Sequence, residues 1–112
     1  MQADLDRTLA ALADPARRAI VELLRQGPQR PSHVADALAL SRPALSRHLR
    51  VLRVAGLIDE QLMADDARAR LVQLRKQPFA QLRDWITEVE RFWQDQLASF
   101  KQHAERSHKR PR

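Results

Sequence analysis

The sequence predicts a mainly α-helical domain with one small β-hairpin, in the order ααααββα. Three observations carry this expectation. Both glycines and most prolines fall where helices would stop and start. Leucines recur between them at helical spacing, and the stretch 57–74 breaks into two short runs around a turn-like centre. With 112 residues the chain suits one domain, read as residues 1–104 with a short tail.

Leu5, Leu9 and Leu12 give helix 3–13 an amphipathic stripe. Asp14 followed by Pro15 reads as an N-cap and first helical position, opening helix 15–26, which Gly27 ends. Pro28 and Pro31 bracket a short connection, and Pro31 starts helix 31–38. Ser41 caps helix 42–55, and Gly56 ends it at a left-handed position. Leu57–Met63 and Arg68–Leu74 flank Ala64-Asp65-Asp66-Ala67 and read as a hairpin, 57–74. Pro78 opens helix 78–104, and residues 105–112 read as a basic, disordered tail.

Composition closes several function classes. With no cysteine there is no disulfide scaffold, thiolate metal site or Cys nucleophile. No Gly-rich phosphate loop, HExxH or GxSxG occurs, so an enzyme is not expected and no cofactor is called for. No apolar run approaches the roughly 18 residues of a membrane span. The first seven residues carry two acids and no basic leader pattern, so a cytoplasmic protein without a membrane partner is expected. The net charge of +6 points to a polyanionic partner. Much of it sits in residues 37–58, which hold Arg42, Arg47, Arg50 and Arg53 and no acid.

Helices 31–38 and 42–55, joined by a three-residue turn, have helix-turn-helix spacing. Leu45, Leu49 and Leu52 form the inward stripe of the second helix. The outward positions are Ser41, Arg42, Pro43, Ser46, Arg47, Arg50 and Arg53, with His48 at the boundary. Arginine can bond guanine O6 and N7 together, serine reaches bases or phosphates, and the helix N-terminus offers free N–H groups to a phosphate. These residues are the expected contacts to double-stranded DNA.

Residues 11–24, Ala-Leu-Ala-Asp-Pro-Ala-Arg-Arg-Ala-Ile-Val-Glu-Leu-Leu, resemble the opening motif of ArsR/SmtB-type repressors. Residues 40–58, running Leu-Ser-Arg-Pro-Ala-Leu-Ser-Arg-His-Leu and ending Ala-Gly-Leu-Ile, resemble the recognition stretch of the same family. The likeness spans roughly residues 5 to 100. It implies a winged helix-turn-helix fold, a homodimer paired by the last helix, and repression of transcription. A two-fold dimer is expected to bind an inverted-repeat operator with helix 42–55 in the major groove. In this likeness hairpin 57–74 is the wing.

Two features depart from the family pattern. The wing tip carries Asp65 and Asp66, which would repel phosphates, so Arg68 and Arg70 are the expected wing contacts. The family's thiolate metal sensor is impossible here, and the His of its Asp-x-His pattern is missing, because Asp84 is followed by Trp85 and Ile86. His33 with Asp36, and His103, Glu105 and His108, are poor ligand sets, so no metal site is assigned. Two alternatives remain beside the DNA-binding repressor: a zinc- or nickel-responsive repressor using His, Asp and Glu, and a winged-helix protein-interaction module. A small-molecule or protein effector is possible.

All five aromatic residues lie beyond Pro78. Phe79, Ile86, Trp93 and Phe100 repeat every seven residues, Leu82 and Val89 fill the intermediate positions, and Trp85 and Phe92 widen the stripe. The expected dimer interface is Leu82, Trp85, Ile86, Val89, Phe92, Trp93 and Phe100, joined by Leu5, Leu9 and Leu12.

Overall fold

The computed structural model describes the backbone of residues 2–63 and 66–109, and the side chains of 3–62 and 70–107. The elements are α1 (Gln2–Leu12), α2 (Pro15–Leu24), α3 (Pro31–Leu38), α4 (Arg42–Val54), β1 (Ile58–Met63), β2 (Asp66–Leu74) and α5 (Lys76–Lys109). They form two compact units, residues 1–80 and 81–112, and α5 begins in the first and continues through the second. Among the described residues no helix is long and apolar enough to cross a membrane.

The corner between α1 and α2 explains why no glycine is needed there. The last carbonyls of a helix lack partners within it. Here Arg17 and Arg18, in the first turn of α2, reach back to supply them. Arg17 Nε donates to Ala11 O at 2.7 Å, and Arg18 Nη1 donates to Leu12 O at 2.8 Å and Ala13 O at 2.9 Å. Asp14 caps α2, accepting from Ala16 N at 2.8 Å and Arg17 N at 3.2 Å.

Those N–H groups, Arg17's foremost, hold the Asp14 carboxyl below the ordinary carboxylate range. Because the folded-state pKa is depressed, ionised Asp14 favours the fold above the unfolded-state value near 4, and this contribution fades as the pH falls through the folded value. Asp14→Asn keeps a capping oxygen but cannot titrate. Its stability, followed by urea denaturation from pH 6 to pH 2.5, should fall less steeply with acid than that of the parent.

The α1 face turned inward is Thr8 and Ala11, both nearly fully buried, and Thr8 Oγ1 donates to Asp4 O at 3.0 Å. Small side chains let α1 lie close to α2. Leu12 is drawn into this packing as a partly buried residue, while Leu9 stays exposed. The core continues through Ile20 and Leu24 of α2, Val34 of α3, Leu45, Leu49 and Leu52 of α4, and Leu57, Ile58 and Val72 of the hairpin. Phe79, near the start of α5, packs partly against it.

Ala39 ends α3 in the left-handed region at φ 54°, where glycine would be usual. Leu40 N donates to Ala35 O at 2.9 Å and closes the helix end. A side chain at positive φ is strained, so Ala39→Gly should stabilise the protein by about 0.5–1 kcal/mol, read as a raised urea midpoint at unchanged slope. At the end of α4, Gly56 adopts φ +79°, and Leu57 N donates to Leu52 O at 2.9 Å.

β1 and β2 pair antiparallel with Ile58 opposite Leu74, Glu60 opposite Val72 and Leu62 opposite Arg70. The register shifts between Leu62 and Met63, and Met63 pairs with Asp66. Asp66 therefore belongs to a strand rather than to the expected four-residue turn, and Ala64 and Asp65 lie outside the described residues. Alternation along β2 puts Arg70, Val72 and Leu74 on one face, which is buried at Val72 and exposed at Arg70. The connection 28–31 does more than join helices. Gln29 N donates to Val72 O at 3.0 Å and Val72 N to Gln29 O at 2.8 Å, fastening the approach to α3 onto the outer edge of β2.

Helix α5 is longer at both ends than the expected 78–104. Lys76 and Gln77 precede Pro78, which the first helical turn tolerates. At the other end the helix runs to Lys109, where a disordered tail from residue 105 was expected. No glycine or proline interrupts 79–110, and Pro111 is the next residue that disfavours helix in its predecessor. Residues 110–112 lie outside the described residues.

Candidate nucleic-acid interface

The turn Ala39-Leu40-Ser41 sets α3 and α4 as a helix-turn-helix. Ser41 Oγ accepts from Ala44 N at 3.2 Å and Ser41 O accepts from Leu45 N at 2.9 Å, so α4 starts at Arg42 as expected. Burial of Leu45, Leu49 and Leu52 then fixes the rotation of α4 about its axis. That rotation leaves Ser41, Arg42, Pro43, Ser46, Arg47, Arg50 and Arg53 all exposed.

Arg42, Arg47 and Arg50 make no ion pair among the described residues. Exposed, unpaired guanidinium groups on one helix face favour an anionic partner. An open hollow of about 370 Å³ adjoins this face, with Arg7, Arg17 and Arg50 around Ala10, Val51 and Val54.

His48 is placed differently from the arginines. It is half-buried at the edge of α4, with Nδ1 3.5 Å from Arg17 Nη1. Arg17 also lies 3.8 Å from Asp14 Oδ2. The side chain that closes the α1–α2 corner therefore also backs the recognition helix, a link that no local motif announces.

A second residue at this face, Glu60, carries no signature in the sequence. Glu60 of β1 pairs with Arg53 of α4 at 2.7 Å and with Arg70 of β2 at 3.1 Å. The stretch 37–58 has no acid, but the hairpin brings one back against its last arginine. Arg70 is exposed beside this carboxylate, whereas the side chain of Arg68 lies outside the described residues.

Among the described residues no three His, Asp or Glu side chains group as a metal site, and His33 and Asp36 are both exposed on α3. In the second unit, Trp85, Ile86, Phe92, Trp93, Leu97 and Phe100 are exposed, and Leu82 and Val89 are half-buried. Phe92 and Trp93 meet edge to face, with centroids 5.8 Å apart.

Four helices, a hairpin beside the fourth and a cationic face on that helix define a winged helix-turn-helix protein of the DNA-binding kind. The family described as "Bacterial regulatory protein, arsR family" matches residues 14–60. The HTH-type transcriptional regulator Rv2034 of Mycobacterium tuberculosis is 41% identical over 97 residues, covering 87% of this chain and 85% of that protein. The solved ArsR-like transcriptional regulator from Rhodococcus sp. RHA1 superposes with a TM-score of 0.78 at 27% identity, over 92% of this chain and 94% of that one. The homodimeric winged helix-turn-helix DNA-binding domain Mb0332 of Mycobacterium bovis has the same fold, with a TM-score of 0.64 at 22% identity over 80% of each chain. The chain belongs to the arsR family and is a winged helix-turn-helix transcriptional regulator.

Proposed function

We propose that this regulator acts as a cytoplasmic homodimeric repressor that binds an inverted-repeat operator with α4 in the major groove. The observation that carries this reading is the set Arg42, Arg47 and Arg50, exposed and without an ion-pair partner among the described residues, on a helix whose rotation the core sets. In this reading Ser41, Pro43 and Ser46 lie at the groove end of α4, His48 supports the helix edge, and Arg53, Arg68 and Arg70 meet the backbone. Occupancy of the operator excludes other proteins from the same DNA, which is how such a dimer represses.

The dimer rests on α5. Its apolar residues are more exposed toward the C-terminus, from 41% at Trp85 to 72% at Phe100. A contiguous stripe of exposed aromatics marks an interaction surface, and a self-complementary one pairs across a two-fold axis. In the first unit, half-buried Leu5 and exposed Leu9 of α1 are assigned to the same dimer interface, while Leu12 packs partly against the core. Mb0332, which shares the fold, is homodimeric.

The test is a fluorescence binding series from 50 to 300 mM salt, comparing an inverted-repeat duplex with single-stranded RNA of equal length. A DNA-reading dimer binds the duplex with affinity falling steeply with salt, whereas a protein-interaction module binds neither.

A further inference from the structure

We propose that Glu60 is an internal phosphate mimic that holds Arg53 and Arg70 back from non-cognate DNA and so sets the specificity of the regulator. The inference rests on the DNA-binding reading above and adds a residue to it.

Both carboxylate oxygens of Glu60 are engaged. Oε1 accepts from Arg53 Nη2 at 2.7 Å and Oε2 accepts from Arg70 Nη1 at 3.1 Å. The hairpin register makes this possible: Glu60 pairs with Val72 and Leu62 with Arg70, so Glu60 and Arg70 are diagonal neighbours on one face. Arg53, in the last turn of α4, closes the triad from the other side. The carboxylate thus ties the end of the recognition helix to the wing.

The arginine side chains remain 48% and 64% exposed, against 26% for Glu60. Their outer faces are open to an anion while their inner donors are occupied. A carboxylate and a phosphate offer arginine the same pair of acceptor oxygens. Any phosphate that engages these guanidiniums must therefore compete with Glu60 or share them with it. Loose, sequence-independent binding draws its energy from such backbone contacts and loses most by this competition. Seated binding has the base contacts of α4 in addition and loses proportionately less. Arg42, Arg47 and Arg50 have no comparable partner among the described residues, so the restraint falls on backbone-facing arginines and spares the groove-facing ones.

The experiment measures Kd of the full chain against salt for two duplexes of equal length, one recovered by selection from a random pool and one scrambled. Glu60→Gln should bind the scrambled duplex about tenfold more tightly, with a log–log salt slope steeper by about one to two per protomer, since each phosphate engaged adds close to one. The ratio of selected to scrambled affinity should fall. Glu60→Ala should move both quantities the same way. With Arg53→Gln and Arg70→Gln already in place, Glu60→Gln should no longer alter the slope.

An unchanged or weakened scrambled affinity in both Glu60 variants overturns the proposal. So does an equal steepening in the background lacking both arginines, which would show a general effect of charge. A parent chain that binds neither duplex instead removes the DNA reading itself, and the inference with it.

Discussion

Trp93→Glu is expected to leave the protein monomeric at micromolar concentration and to weaken binding to a paired operator by roughly 10²–10⁴-fold. Trp93 lies on the seven-residue repeat with Ile86 and Phe100, and it is 59% exposed. Phe92 packs edge-on against it at an interplanar angle of 75°. In a two-fold seam each substitution occurs twice, and a carboxylate on each side would be desolvated without a partner. Position 93 lies within α5 and glutamate is a good helix former, so helical content should persist in circular dichroism. Sedimentation equilibrium reads the result. A Trp93→Glu protein that stays dimeric would rule out the α5 seam. Affinity falls with the dimer because the second half-site no longer adds to the first. Binding to a single half-site duplex should change little, which separates lost pairing from damaged DNA contact.

Arg47→Ala should cost about 1–3 kcal/mol at each half-site, roughly 10–100-fold in affinity, and relax the preference at one base position. Arg47 is exposed within the first two turns of α4, between Pro43 and Arg50 on the outer face, and has no ion-pair partner among the described residues. A base-reading arginine and a phosphate-binding one differ in their mutant signatures. Loss of the first lowers affinity for the selected duplex far more than for a scrambled one. Loss of the second lowers both alike and flattens the salt dependence by about one. Arg47→Ala weakening both duplexes equally would move Arg47 to the backbone and leave base readout to Arg42, Ser46 and Arg50.

The helix-turn-helix was legible in the sequence because its determinants are local. A serine cap, a leucine stripe at i, i+4 and i+7, and a glycine stop all lie within 16 residues, and the structure returns α4 as Arg42–Val54. The left-handed Ala39 was not legible, since alanine carries no signal for positive φ; the turn is imposed by packing α3 against α4. The Glu60 triad was hidden for another reason. It joins residues 7 and 10 positions apart: the hairpin register brings Arg70 to Glu60, and the packing of α4 beside β1 brings Arg53. The same holds for Arg17, whose place in the opening motif does not reveal that it turns back onto the carbonyls of α1 and also meets His48. Gln29 adds a bridge to β2 too short to leave any alternation in the sequence. On α5 the aromatic repeat was plain, but the helix end was not, because Glu105 to Lys109 are as compatible with helix as with a charged tail.

In the proposed complex two copies of this chain read DNA through α4. Selecting bound sites from a random duplex pool tests it most directly. The expected product is an enriched inverted repeat with half-site centres about one helical turn apart, near 10 bp, or a multiple of that. Enrichment of an unpaired motif would contradict the dimer geometry, and recovery of no motif at all would contradict base reading by α4.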